Sequence, residues 1–339
     1  MDMDLIIENI VRKDILNIIN RIKKCHSKSM YNKLISDLSK LYEIANTLKL
    51  DNILDVDNYA YKTYSRNYRK IEKNQKKFYL ENYDFHSELT DNYIYILNKY
   101  PNQNYRYIVD EMSIEESQNL AANFLKEYNY KIYETFKNCV MNNKFIYLDQ
   151  KEYDFYNEGE TYYGNYFNTY VLIENQESIF TALTSIHEVG HIYDFDNLME
   201  TNYNYLTEIY SHYLELIFGD YLKNKNIDCT NVKYNYLDNL EETITDLSNL
   251  LKENITSKLD FDIKYNQIFY ILEYTYGMIL ALEFYDLYLS DKELANYKIN
   301  EFSKNKNDFK NPIDLIEKFN FDKEKILEGE TLKKFIKRI

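Results

Sequence analysis

Only two prolines and six glycines punctuate 339 residues, and that scarcity excludes most architectures. An all-β chain turns roughly every 8–12 residues, and its turns draw on glycine and proline. A chain with so few of either must run in long helices. The apolar positions agree. Leu5, Ile6, Ile10, Val11, Ile15, Ile18, Ile19 and Ile22 recur at helical spacing, and the pattern resumes through Leu34, Leu38, Leu41 and Ile44. Helix is also predicted over 57–100, where tyrosines are frequent, with Pro101 marking a break. The next helix starts after Ser113, which as N-cap forms a capping box with Glu116.

The texture changes near residue 141. Phe145–Leu148 and Tyr166–Ile173 are short β-prone runs around Gly159 and Gly164, which predicts a small sheet or hairpin inserted in a helical protein. Helix is predicted again over 177–196, 203–223 and most of 236–290. The fold expected is mainly α, in two helical lobes: 1–140 and a second over 141–339. No internal repeat or flexible linker interrupts them.

Composition narrows the partners. A net charge of −14 supplies no concentrated positive surface, so nucleic acid is not an expected partner. Cys25, Cys139 and Cys229 are odd in number, far apart and without a CxxC pair, the pattern of reduced thiols. The amino terminus has no basic region followed by an apolar run, and no stretch approaches the ~18 apolar residues of a membrane span. A cytoplasmic protein without a membrane partner is the expectation.

The chemistry concentrates in "SIHEVGHIYDF", residues 185–195, in a chain with five histidines. His187 and His191 lie four apart, so on a helix both imidazoles face one way and can reach one metal ion. Glu188 is rotated by about 100° from His187. It stands beside the metal rather than on it, placed to take a proton from water. Phe180, Leu183 and Ile186 form the buried side, and Gly190 leaves room for a close neighbour. A catalytic zinc takes a third protein ligand and keeps a position for water. Metzincin spacing does not supply it, because Asp194 replaces the glycine and Asn197 the third histidine. The next helical run, "YLTEIYSHYLELIF", offers Glu208, His212 and Glu215 on one stripe.

With both motifs in place, the sequence resembles the thimet oligopeptidase and oligoendopeptidase F family of zinc metallopeptidases. "FTALTSIHEVGH" is similar to that family's helix ending in HExGH, and "TEIYSHYLE" to its second motif, a glutamate ligand followed seven residues later by another glutamate. "YDFYNEGETYYGNYFNTYVLIEN" resembles its Gly-rich segment and substrate-facing strand, and "FYILEYTYGMILA" its tyrosine-rich helix ending in glycine. The likeness runs from about 112 to 285, with a shortened amino-terminal part. It implies a zincin-like helical fold whose lobes enclose a channel, with the small sheet near the active site. It also implies that Glu208 is the third ligand, with Glu215 near the metal-bound histidines. The family's histidine after HExGH is Asp194 here, the tyrosine helix lacks its histidine, and its tyrosine column falls on Leu272.

The function expected is a zinc-dependent endopeptidase that cuts short peptides, with one Zn2+ per chain, though these ligand types also suit manganese or cobalt. Peptide backbone is expected to pair with the strand near Tyr166–Ile173. A donor for the developing oxyanion is expected from the stripe of Leu272, which carries Tyr265 and Tyr276 at helical spacing. Tyr265 ranks first, because the resemblance to the thimet branch implies an additional active-site tyrosine at that position. The alternative is a zinc-containing protein that binds peptides without cutting them. The missing tyrosine column favours that reading, and Glu188 opposes it.

Overall fold

In the computed structural model the amino-terminal apolar stripe folds as two helices, α1 (Met3–Lys23) and α2 (Lys28–Thr47). The structure describes residues 3–25, 27–50, 76–99, 110–149, 158–164, 167, 169–195, 206–253, 258–309 and 311–339. The helix expected over 57–100 therefore lies partly outside the described residues. Its described part holds helix at 76–81 and α3 (Tyr83–Lys99). The chain separates into two compact units, one drawn from 1–69 with 111–188, the other from 70–110 with 189–339.

In the first unit, α4 (Ile114–Tyr128) begins with the predicted capping box. The Ser113 Oγ accepts the Glu116 N–H at 3.2 Å, and the Glu116 carboxylate accepts the Ser113 N–H at 2.8 Å. Helix α5 (Tyr130–Met141) leads into β1 (Phe145–Leu148), the strand expected there. The sheet has three strands in the order β1-β3-β2, with β2 at Gly159–Tyr162 and β3 at Tyr170–Glu174. β3 is parallel to β1 and antiparallel to β2, with Val171 opposite both Phe145 and Thr161.

This topology corrects one expectation. The run near Tyr166–Ile173 yields β3, a central strand with both edges paired, so no peptide can add to it. β1 and β2 lie at the two borders instead. β2 escaped the sequence reading because "GETY" is only four residues, opens on Gly159 and is soon followed by Gly164, and so looks like a turn.

Alternation along the strands separates two faces. Ile146, Leu148, Tyr170 and Leu172 pack with Val11, Ile15, Leu34, Leu38 and Ile44 of α1 and α2. On the other face Phe145 meets the Phe136 ring at 5.1 Å, and the Tyr147 hydroxyl shares a 3.1 Å hydrogen bond with Ser185 of α6 (Ile179–Phe195). Each fully buried large apolar side chain contributes roughly 1.5–3 kcal/mol. A half-buried polar cluster adds specificity: Asp14 of α1 accepts from Lys144 at 3.2 Å and from the Tyr170 hydroxyl at 2.8 Å.

The second unit takes α3 with α7 (Glu208–Asn224), α8 (Thr230–Lys252), α9 (Lys258–Ser290) and α10 (Lys292–Lys304). A 3-10 turn at Lys306–Asp308 precedes three short helices, α11 (Pro312–Lys318), α12 (Lys323–Leu327) and α13 (Glu330–Ile336). The helical stretch expected over 236–290 is thus two helices. α9 lies between α7, α8 and α10, which explains why Ile268, Leu272, Met278, Leu280 and Phe284 are buried around its whole circumference. No helix among the described residues is long and apolar enough to cross a membrane.

Candidate metal centre

Helix α6 is apolar along most of its length, with Ala182, Ile186 and Val189 fully buried, yet it carries two histidines and a glutamate. Such polar groups persist in an interior only with partners. His187, Glu188 and His191 each offer a ligand atom, and these atoms lie within 4.8 Å of one another. The division between the two units falls inside this helix, just after Glu188. In the first unit the Glu188 Oε2 accepts a hydrogen bond from the Thr161 hydroxyl of β2 at 2.5 Å.

In the second unit the His191 Nε2 stands 3.4 Å from the Glu208 Oε2. That separation is longer than a good hydrogen bond. It matches the edge of a tetrahedron with bonds of ~2.0–2.1 Å, an edge of roughly 3.4 Å, so both atoms fit one zinc ion. Two imidazoles and a carboxylate are also the donor types of a catalytic zinc site. The donor types fit the metal.

Local sequence explains how Glu208 arrives there. It is the first residue of α7, where the helix dipole favours a carboxylate. Two bare glycines allow the close approach. A Cβ on Gly277 of α9 would collide with the Glu208 Cβ, and one on Gly190 would stand 2.8 Å from the Ser211 Oγ of α7. The space that Gly190 leaves is therefore used.

The remaining stripe of α7 divides its work. His212 gives its Nδ1 to the Glu215 carboxylate at 3.0 Å, while its Nε2 lies 4.0 Å from the Glu208 Oε2. The Tyr236 and Tyr274 rings hold the imidazole edge-on. Sequence reasoning missed Glu273 of α9. It takes a hydrogen bond from Thr207, and burial, reinforced by the Glu208 carboxylate, pushes its carboxyl well above the ordinary range. The available signal was its place one turn before Gly277.

Other sequence-predicted residues are placed elsewhere. Asp194 forms a buried ion pair with Lys306. Leu272 is core. Tyr276 is 1% exposed and its hydroxyl bonds the His86 Nδ1 at 2.6 Å, so it is committed to the interior. Tyr265 lies on α9, and its side chain is outside the described residues. So is Asn197.

No protein-family model matches the chain, and no curated protein sequence does. Solved structures do. The fold is similar to that of a protein described as an oligoendopeptidase F from Bacillus anthracis str. Ames, with a TM-score of 0.53 at 15% identity over 92% of this chain and 64% of that one. It is also similar to PZ peptidase A with an inhibitor, with a TM-score of 0.52 at 13% identity over 92% and 66% of the two chains. A further structure described as an oligoendopeptidase F gives 0.50 at 12% identity, over 91% and 65%. This chain spans less than two thirds of the length of each. The likeness is one of fold: mainly helical, with a small sheet.

Proposed function

We propose that this chain is a zinc-dependent metallopeptidase that hydrolyses short peptides. His187, His191 and Glu208 hold one metal ion, and Glu188 is the general base. The observation that carries the reading is Glu188, set among two histidines on a buried helix, with Glu208 at 3.4 Å from one of them. A metal held for structure alone needs no such base. The fold shared with oligoendopeptidase structures supports the same reading.

Zinc, when bound, polarises the scissile carbonyl and makes water easier to deprotonate. Glu188 accepts the water proton on a carboxylate oxygen and delivers it to the leaving amine nitrogen. The border strand β2, free on its far side among the described residues, offers backbone groups to an extended peptide. The same strand carries the hydroxyl that bonds Glu188. Tyr265 donates to the developing oxyanion.

Metal analysis of the purified protein, followed by digestion of a mixed peptide library, tests the reading. The wild type is expected to hold one zinc and cut peptides. Glu188→Gln is expected to keep the zinc and lose hydrolysis by about 10²-fold or more. Peptide binding with no cleavage by the wild type would instead establish the binding protein.

A further inference from the structure

We propose that β2 is the holder of the general base: Thr161 orients the Glu188 carboxylate, and the missing side chain of Gly159 makes its berth. The inference rests on Glu188 being the base, and adds what fixes it in place.

The two residues are i and i+2 on one strand, so they face the same way, towards Glu188. The Thr161 Oγ1 donates to the Glu188 Oε2 at 2.5 Å, the short distance of a hydroxyl on a charged carboxylate. The other oxygen is placed by Gly159. A Cβ there would stand 2.6 Å from the Glu188 Oε1, 2.9 Å from its Cγ and 2.7 Å from the Thr184 Cγ2. Any residue larger than glycine would therefore push the carboxylate away. One oxygen is held by a hydrogen bond from Thr161, and the other lies where a side chain on residue 159 would stand.

A glutamate side chain has three torsions, and a base works only within hydrogen-bond reach of the proton that it removes. A displacement of about 1 Å costs on the order of 10²-fold in rate. Thr161 is not proposed to touch substrate or metal. It is a positioning residue that acts through Glu188. Because β2 is also a border strand of the sheet, the residues that fix the base are among those beside which a peptide would pair. A disturbance of β2 then reaches the base directly.

Three variants and two readouts test the proposal. Thr161→Val keeps shape and strand preference but has no hydroxyl, and is expected to lower kcat about tenfold with KM changed less than twofold. Thr161→Ser restores the hydroxyl and is expected to recover most of kcat. Gly159→Ala is expected to lose more than Thr161→Val, with zinc content retained. The second readout needs no activity: urea unfolding of the metal-free protein. Thr161→Val should lower the midpoint in the wild-type background and leave it unchanged in Glu188→Ala, since the hydroxyl then has no carboxylate to hold. Unchanged kcat in Thr161→Val, or equal midpoint shifts in both backgrounds, would overturn the proposal. If the wild type cuts nothing, the peptidase reading fails, and the unfolding cycle alone decides whether β2 holds Glu188.

Discussion

Glu208 and Glu215 sit on the same stripe of α7 but meet different partners. Glu208 faces the His191 Nε2 at 3.4 Å, whereas Glu215 is bonded to the His212 Nδ1 at 3.0 Å. On the proposed assignment, loss of Glu208 removes one of three protein bonds to the ion, while loss of Glu215 removes an outer partner, which typically costs 10–100-fold in affinity. Glu208→Ala is therefore expected to empty the site after dialysis, and Glu215→Ala to retain most of the metal at saturating zinc. Elemental analysis of both decides. The reverse ranking would move the third ligand along α7. Tyr265→Phe is expected to keep zinc and fold while kcat falls and KM holds, the mark of an interaction made in the transition state. Unaltered kcat would leave the oxyanion to another donor. At this scale His187, Glu188 and His191 were legible because one helix sets their spacing. Thr161 and Glu273 were not, because each meets its partner only through the chain's tertiary path.

The elements that carry the site are anchored at their ends. The last turn of α6 holds Asp194, three residues beyond His191, and its carboxylate pairs with Lys306 of the 3-10 turn, both side chains 1% exposed. Burial pulls the Lys306 ammonium well below its ordinary pKa, so the lone cation would be costly there. Asp194→Leu alone is expected to destabilise by about 3–5 kcal/mol, because it strands that cation. The pair Asp194→Leu with Lys306→Met is expected to recover much of the loss, since no buried charge remains. Chemical denaturation of Asp194→Leu, Lys306→Met and the double variant measures this. A double variant as unstable as the sum of the singles would mean that the pair adds nothing specific. Nothing in the sequence links Asp194 to Lys306, 112 positions later in the chain. Helices themselves were readable, since apolar period and the Ser113 cap are local. The short border strand β2 and the break between α8 and α9 were not, because pairing and packing decide them.

For the whole molecule, charge sets how stability varies with pH. The chain carries 55 acidic against 41 basic residues, so lowering the pH relieves general repulsion. Glu283 of α9 adds a specific contribution. Burial pushes its carboxyl up to about 7, against a lowering hydrogen bond from Thr331, and the nearby Asp286 raises it further. Its Oε1 has no hydrogen-bond partner. An unfolded glutamate titrates near 4.3, so between about 4.3 and 7 the native state binds more protons than the unfolded one. Stability from this group is therefore complete below about 4.3 and is lost as the pH rises towards 7, by about 3–4 kcal/mol in all. Glu283→Gln keeps an uncharged side chain of the same shape at every pH and isolates this contribution from the general repulsion. Melting curves from pH 4 to 8 are expected to run together at the acid end. The variant should then rise above the wild type by a few degrees at pH 8. Parallel curves across that range would show that Glu283 ionises in the folded protein as it does in the unfolded chain.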